Sequence, residues 1–163
     1  MQKGSHPHLV EKSGRFEFIL VPGKEGQRVE EIAITQKDVR EVQLGKAAIQ
    51  AALQILLEQG NISATEIDKI IIAGAFGSYL DISNAVAIGL LPGIPLNRVL
   101  QVGNAAGTGA RILLLSATRR EEIKNLLTRI KYLELGGAPK FSKAFTRACL
   151  LGPYNTGPNA ASR

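Results

Sequence analysis

A single cysteine, two histidines and no tryptophan occur among the 163 residues. One thiol, Cys149, excludes a disulfide framework. With only His6 and His8 beside it, it supplies too few ligands for a closed zinc site or an iron–sulfur cluster built from this chain. Aromatic side chains make up 5% of the sequence, and no RNA-binding aromatic signature stands among them, so nucleic acid is not an expected partner. No run reaches the ~18 apolar residues of a membrane span. Met1–Val10 is polar, without the apolar stretch of a secretory signal. The expectation is no membrane partner and a cytoplasmic location. The 17 Gly and 7 Pro follow no fixed period, which excludes collagen-like and mucin-like chains.

What is present suits one globular unit. Hydrophobic residues are 45% and charged residues 21%, an ordinary balance for a chain that buries a core. The net charge of +6 is uneven: residues 1–81 hold 9 Lys/Arg against 11 Asp/Glu, residues 82–163 hold 11 against 3. A basic half serves either as a solvated surface or as a face for phosphate groups or an acidic protein.

The local patterns alternate. Arg15–Val21 reads as a strand, Pro22–Gln27 as a turn and Val29–Ile34 as a second strand, the pair forming a hairpin. Thr35 with Asp38 approximates a capping box, flanked by Ile34 and Val39 at the staple positions. They open a helix over Gln36–Gln59, ~36 Å long at the usual rise, which Gly60 is expected to stop. From Ala47 to Leu57 that helix is apolar on almost every face, so packing on several sides is expected. Ser63 with Glu66 makes a second box before the β-branched run Lys69–Ala73, read as a buried, parallel strand. Asp81 or Ser83 caps a helix through Ala85–Leu90. Arg98–Val102 reads as another strand, Ala110–Ala117 as helix, and Thr118 with Glu121 as a third box opening Arg119–Arg129. Ile130–Leu135 is expected as a last strand and Phe141–Leu150 as a last amphipathic helix. Such alternation implies an α/β fold with a mostly parallel sheet flanked by helices.

Two of these strands end in glycine: Gly74-Ala75-Phe76-Gly77 and Gly103-Asn104-Ala105-Ala106-Gly107-Thr108-Gly109. Ligands of open α/β sheets sit beyond the carboxyl ends of the strands, so both turns are expected at one mouth of the sheet. Either they let backbone approach a ligand, or they merely permit tight turns and close helix–sheet packing. The usual nucleotide motifs are missing. A P-loop needs Lys-Ser/Thr after its last glycine, and Gly109 is followed by Ala110-Arg111; the dinucleotide pattern needs glycine at 112, where Ile112 stands. No Ser/His/Asp triad is credible, and Cys149 in an apolar helix reads as a packed residue. No catalytic residue and no metal ligand is assigned.

A resemblance enters on longer stretches. Ile34-Thr35-Gln36-Lys37-Asp38-Val39-Arg40 with Gln43–Ile49, Ile72-Ala73-Gly74-Ala75-Phe76-Gly77-Ser78-Tyr79-Leu80-Asp81, Asn84–Pro92, Val102–Ala106 and Tyr132–Leu135 with Phe141 and Phe145 resemble, in order, the ATP-dependent reductive activators of corrinoid proteins. The resemblance covers about residues 9–150. That family lies in the acetate-kinase/sugar-kinase/heat-shock-protein/actin superfamily, whose ATPase has two α/β lobes around the nucleotide. It implies one lobe of an actin-like (ribonuclease H-like) fold over residues 13–151; residues 1–12 and 152–163, rich in Gly, Pro, Ser and Asn, are expected from composition to be a disordered leader and a disordered tail. It implies ATP and Mg²⁺ as cofactors of the parent protein, and a 2Fe–2S cluster in the parent but not in this chain. Gly74, Ala75, Phe76 and Gly77 would bound the adenosine pocket, with Gly103 and Asn104 beside it. Ala75 departs from the family, which usually shows glycine there. Phe76 either shelters the adenine or anchors the core; Asp81 either meets a ribose hydroxyl or caps a helix.

Neither an Asp-Xaa-Gly-Thr-type motif nor a Gly-Ser/Thr-Gly loop precedes the long helix. The chain is therefore expected to be a fragment: the adenosine-side lobe of an ATPase that drives Co(II) corrinoid back to Co(I), inactive by itself. The alternative is a protein-interaction or dimerisation module without nucleotide binding. Expected partners are a corrinoid protein, the missing ATPase lobe or a second copy.

Overall fold

A computed structural model describes residues 6–23, 30–137 and 139–154. It divides into two compact units, residues 1–46 and 47–163. Among the described residues no helix is long and apolar enough to cross a membrane.

The first unit is an antiparallel sheet of β1 (Leu9–Lys12), β2 (Arg15–Val21) and β3 (Ile32–Thr35), in the order β1-β2-β3. The expected leader is therefore too long, because residues 9–12 pair with β2 in the register Leu9 to Phe18 and Lys12 to Arg15. The turn between them uses Ser13 and Gly14, both at positive φ, the backbone that two-residue hairpins require. Serine in the place of the usual asparagine hid it. β3 pairs with β2 with an irregularity between Ile19 and Val21. Part of the second expected strand, Val29, and most of the turn Pro22–Gln27 lie outside the described residues.

Thr35 ends β3 and caps α1 (Gln36–Gly60). Its backbone N–H donates to Asp38 Oδ2 at 2.8 Å, its hydroxyl donates to the same oxygen at 2.7 Å, and Asp38 N–H donates back to Thr35 Oγ1 at 3.2 Å. These bonds, the backbone one foremost, hold the Asp38 carboxyl below its ordinary value. At the far end Gly60 stays helical and Asn61 takes the left-handed conformation instead, at φ 51°. Asn61 N–H donates to Glu58 C=O at 3.2 Å and Ile62 N–H to Leu57 C=O at 2.9 Å, the two bonds of a Schellman end. Asparagine tolerates that conformation through its short polar side chain, so the stop lies one residue later than expected. The expectation of packing on several sides also needs correction. Lys46, Ala47, Gln50, Ala51 and Ile55 are buried, a stripe at three- and four-residue spacing, whereas Val42, Ile49 and Leu56 are exposed.

In the second unit a 3-10 turn at Ala64–Glu66 is closed by the expected Ser63–Glu66 box. It leads into β4 (Ile70–Ala73), then α2 (Ala75–Tyr79), α3 (Ile82–Ala87), β5 (Val99–Gly103), α4 (Ala105–Leu115), α5 (Ala117–Leu127) and α6 (Pro139–Ala148). β4 and β5 pair in parallel. The core gathers Ala85, Leu90 and Leu91 against Ile70, Ile72, Leu80, Ile82, Val86 and Ile88. β4 is not buried on both faces, because Ile71 between those two isoleucines is 63% exposed. α5 opens two residues earlier than expected: Ser116, extended at the end of α4, accepts Arg119 N–H at 3.2 Å and serves as the cap in place of Thr118. Residues 130–135 form no strand; Ile130 and Tyr132 are exposed, and β propensity without a neighbouring strand does not make a sheet. The expected tail begins too early as well. Gly152 N–H donates to Ile88 C=O at 3.3 Å and Tyr154 Oη donates to Gln50 C=O at 3.5 Å. Burial, then the charge of Glu58, pushes the Tyr154 phenol up to about 12.

Two neighbouring residues of α1 should separate in stability. Ile55, 4% exposed, should cost about 2–5 kcal/mol as Ile55→Ala, and Leu56, 52% exposed, well below that as Leu56→Ala. Equal urea midpoints would contradict the one-sided burial of α1. A depressed carboxyl stabilises the fold above its unfolded value, about 3.9, and that gain is lost as pH falls through the folded value. The stability gap between the parent chain and Asp38→Asn should therefore be widest at neutral pH and shrink as pH falls below the ordinary aspartate value, about 3.9, as read by urea unfolding at neutral and acid pH.

Candidate functional site

β4 and β5 run side by side in the same direction, so their carboxyl ends arrive at the same edge of the sheet. Ala73 is the register partner of Gly103, after a shift between Ile72 and Ala73. That register brings Gly74 N–H to Gly103 C=O at 2.6 Å. The two glycine turns are thus joined directly by backbone, as the order of strands and glycines implied.

Gly74 caps α2 at φ 93° and ψ 168°, a conformation left essentially to glycine. Its carbonyl accepts both the N–H and the hydroxyl of Ser78, each at 3.3 Å. Gly77 is buried on the inner side of α2, and a Cβ there would run into Ile72 Cγ2. Glycine at 77 therefore sets how closely α2 lies on β4. Gln101 completes the frame from β5: its side-chain amide donates to Gly77 C=O and, at 2.9 Å, to Leu80 C=O. One side chain thereby ties the end of α2 to the strand that carries the other glycine turn.

The named residues fall into two groups. Gly77 is internal, whereas Gly74, Ala75, Phe76 and Asn104 are exposed and Gly103 is half-buried. Phe76 is 72% exposed, which overturns its reading as a core anchor and leaves an aromatic face open beside the joined turns. Tyr79, one turn on, is exposed as well. Asp81 caps α3, accepting Asn84 N–H at 2.7 Å, the second of its two readings. Asn104 caps α4 and accepts Gly107 N–H at 2.9 Å. Gly107 and Gly109 consequently lie inside α4, so the second turn is Gly103-Asn104 and not a loop to residue 109. Alanines at 105 and 106 favour the early start.

Gln101, Ser78 and Ile72 were not singled out from the sequence. Gln101 left a signal: it is the lone polar residue in Val-Leu-Gln-Val-Gly. The Ile72–Gly77 contact left none, because it depends on how α2 folds back over β4.

Comparison with known proteins gives these features a setting. The family described as the C-terminal domain of RACo, the ASKHA domain, matches residues 1–160. The corrinoid activation enzyme RamQ of Eubacterium limosum is 42% identical over 146 residues, 88% of this chain and 24% of that protein. The reductase of the Co(II) methylated amine-specific corrinoid protein of Methanosarcina barkeri is 30% identical over 125 residues, 75% of this chain and 22% of that protein. A solved reductive activator for corrinoid, iron–sulfur protein superposes with a TM-score of 0.76 at 34% identity, over 95% of this chain and 25% of that one. The fold is that of an actin-like ASKHA domain, and the chain spans about a quarter of the length of these relatives.

The close approach of α2 can be tested by a pair of substitutions. Gly77→Ala should cost about 1–3 kcal/mol through overpacking. Adding Ile72→Ala should recover part of that loss, a coupling that a double-mutant cycle in urea resolves. Strict additivity of the two changes would show that the residues do not meet.

Proposed function

The chain belongs to the family of RACo C-terminal ASKHA domains, and from that membership we propose that its joined glycine turns form the adenosine side of the nucleotide site in an activator that returns Co(II) corrinoid protein to Co(I). The Gly74–Gly103 backbone bond carries the reading. It places an open, side-chain-free surface at the carboxyl ends of two parallel strands, where α/β sheets bind ligands. Phe76 offers its exposed ring to a flat purine. Gly74, Ala75, Gly103 and Asn104 supply backbone that a ribose or base can approach, and Gly77 holds α2 in place beneath them.

The residues fit the nucleoside end of ATP and not its phosphate end. No phosphate-loop lysine follows the glycines, and phosphoryl transfer needs Mg²⁺ and phosphate-cradling groups in position. In a protein of the relatives' length those groups, and a 2Fe–2S cluster, would come from the remaining sequence. Cys149 is suited to packing: it is half-buried and its thiol donates to Phe145 C=O at 3.4 Å. Driving the reduction is the task proposed for the complete protein. This chain alone is proposed to be inactive.

A second reading rests on a separate surface. Leu114 and Leu115, each 81% exposed, and Leu126 and Leu127 stand bare on α4 and α5. Exposed apolar side chains of this size suit a protein partner: a corrinoid protein, as the names of the relatives suggest, the other ATPase lobe, or a second copy of the chain.

Half a pocket buries one side of a nucleoside, so affinity should be on the order of millimolar, about −4 kcal/mol. Titrating labelled protein with adenosine and with ATP should move amide signals at Gly74–Gly77 and Gly103–Asn104. Gly74→Val should abolish those shifts while the circular dichroism spectrum stays helical. Shifts confined to residues after Thr118, and equal with plain phosphate, would replace the nucleotide reading with nonspecific anion binding.

A further inference from the structure

The first unit contains a cavity of about 330 Å³ that the nucleotide reading does not use. One wall is the face of the antiparallel sheet that carries Phe16, Phe18 and Ile34; the other is the opening of α1, with Val39, Arg40 and Gln43. Phe16 and Phe18 alternate along β2 and share a face, and Ile34 is the cross-strand partner of Phe18. Val39, Arg40 and Gln43 stand three and four residues apart and share a face of the helix. The staple pair Ile34 and Val39 thus brackets an open space with two half-buried rings at its floor.

The charge at its mouth is unusual. Arg40 sits in the second turn of α1 and is exposed. Among the described residues no carboxylate pairs with it, and none lines the cavity. Gln43 adds a carboxamide one turn beyond. Apolar walls, a guanidinium at the rim and, among the described residues, no acid in the lining are a site for a flat apolar body that ends in a carboxylate, which an arginine fork binds in two-pronged fashion. The volume lies at the small end of ligand pockets, which run from about 300 Å³ upward, and so holds a single ring with a short arm.

We propose that this cavity binds a small aromatic carboxylate, the ring against Phe16 and Phe18 and the carboxylate on Arg40. The site is independent of the glycine turns, and its failure leaves the nucleotide reading untouched.

The probes are phenylacetate, its neutral amide and acetate, titrated into the labelled full chain. Phenylacetate should shift the amides of residues 16–18, 34 and 39–43, and the neutral amide should bind at least about tenfold more weakly, since it lacks the charge that Arg40 meets. Arg40→Gln should bring phenylacetate down to the level of the amide with an unchanged urea midpoint. Ile34→Trp, which fills the mouth with a residue that strands accept, should abolish both. Equal binding of acid and amide, full phenylacetate binding by Arg40→Gln, or shifts outside this set would overturn the proposal. So would a peptide containing Phe and Glu that binds here when phenylacetate does not, since it would make the occupant a protein segment.

Discussion

The register of β4 against β5 is the constraint on which the candidate site depends. Parallel pairing aligns Ala73 with Gly103, and the next amide, that of Gly74, then reaches the Gly103 carbonyl. Everything nearby is arranged to keep that alignment. Ile72 accepts the close approach of Gly77, Gln101 reaches across to two carbonyls of the α2 segment, and Ser78 doubles back on Gly74. Each contact is small, but all of them converge on the same few residues. A turn that a ligand must meet in one shape gains from being fixed by several independent bonds, because little ordering remains to be done on binding.

The sequence was most informative where a feature is local. The cap at Thr35 and Asp38, the box at Ser63 and Glu66, the strand Arg15–Val21 and the meeting of two glycine turns all follow from residues a few positions apart or from strand order. It was least informative where a partner far along the chain decides the outcome. Ile130–Leu135 has strand composition but no neighbour to pair with. Leu9–Lys12 has unremarkable composition yet becomes a strand because β2 lies beside it. Phe76 looked like a core residue by type, and only the path of α2 turns it outward. Caps slipped where two choices were chemically similar, by two residues from Thr118 to Ser116 and by one from Gly60 to Asn61.

The long helix α1 shows how composition and burial part company. Its apolar residues surround the axis, yet one stripe is fully buried and the residues flanking it, Ala52, Leu53 and Leu57, are half-buried. Small side chains at Ala47 and Ala51 mark the covered side, while Val42, Ile49 and Leu56 stand in water. The same holds for Ile71 on β4 and for the leucines at the end of α4. Exposed apolar surface on this scale belongs to elements that meet something else, in keeping with a chain that spans about a quarter of the length of its relatives.

The hydrogen bond between Gly74 and Gly103 has a consequence for motion. An amide proton held by a carbonyl trades with solvent deuterium only when the bond opens. The Gly74 amide lies at the end of the sheet, past the last paired residue of β4, so its release requires the two turns to separate but does not require the strands to come apart. Its exchange rate is therefore a clock for one specific event, the parting of the glycine turns, set apart from global unfolding.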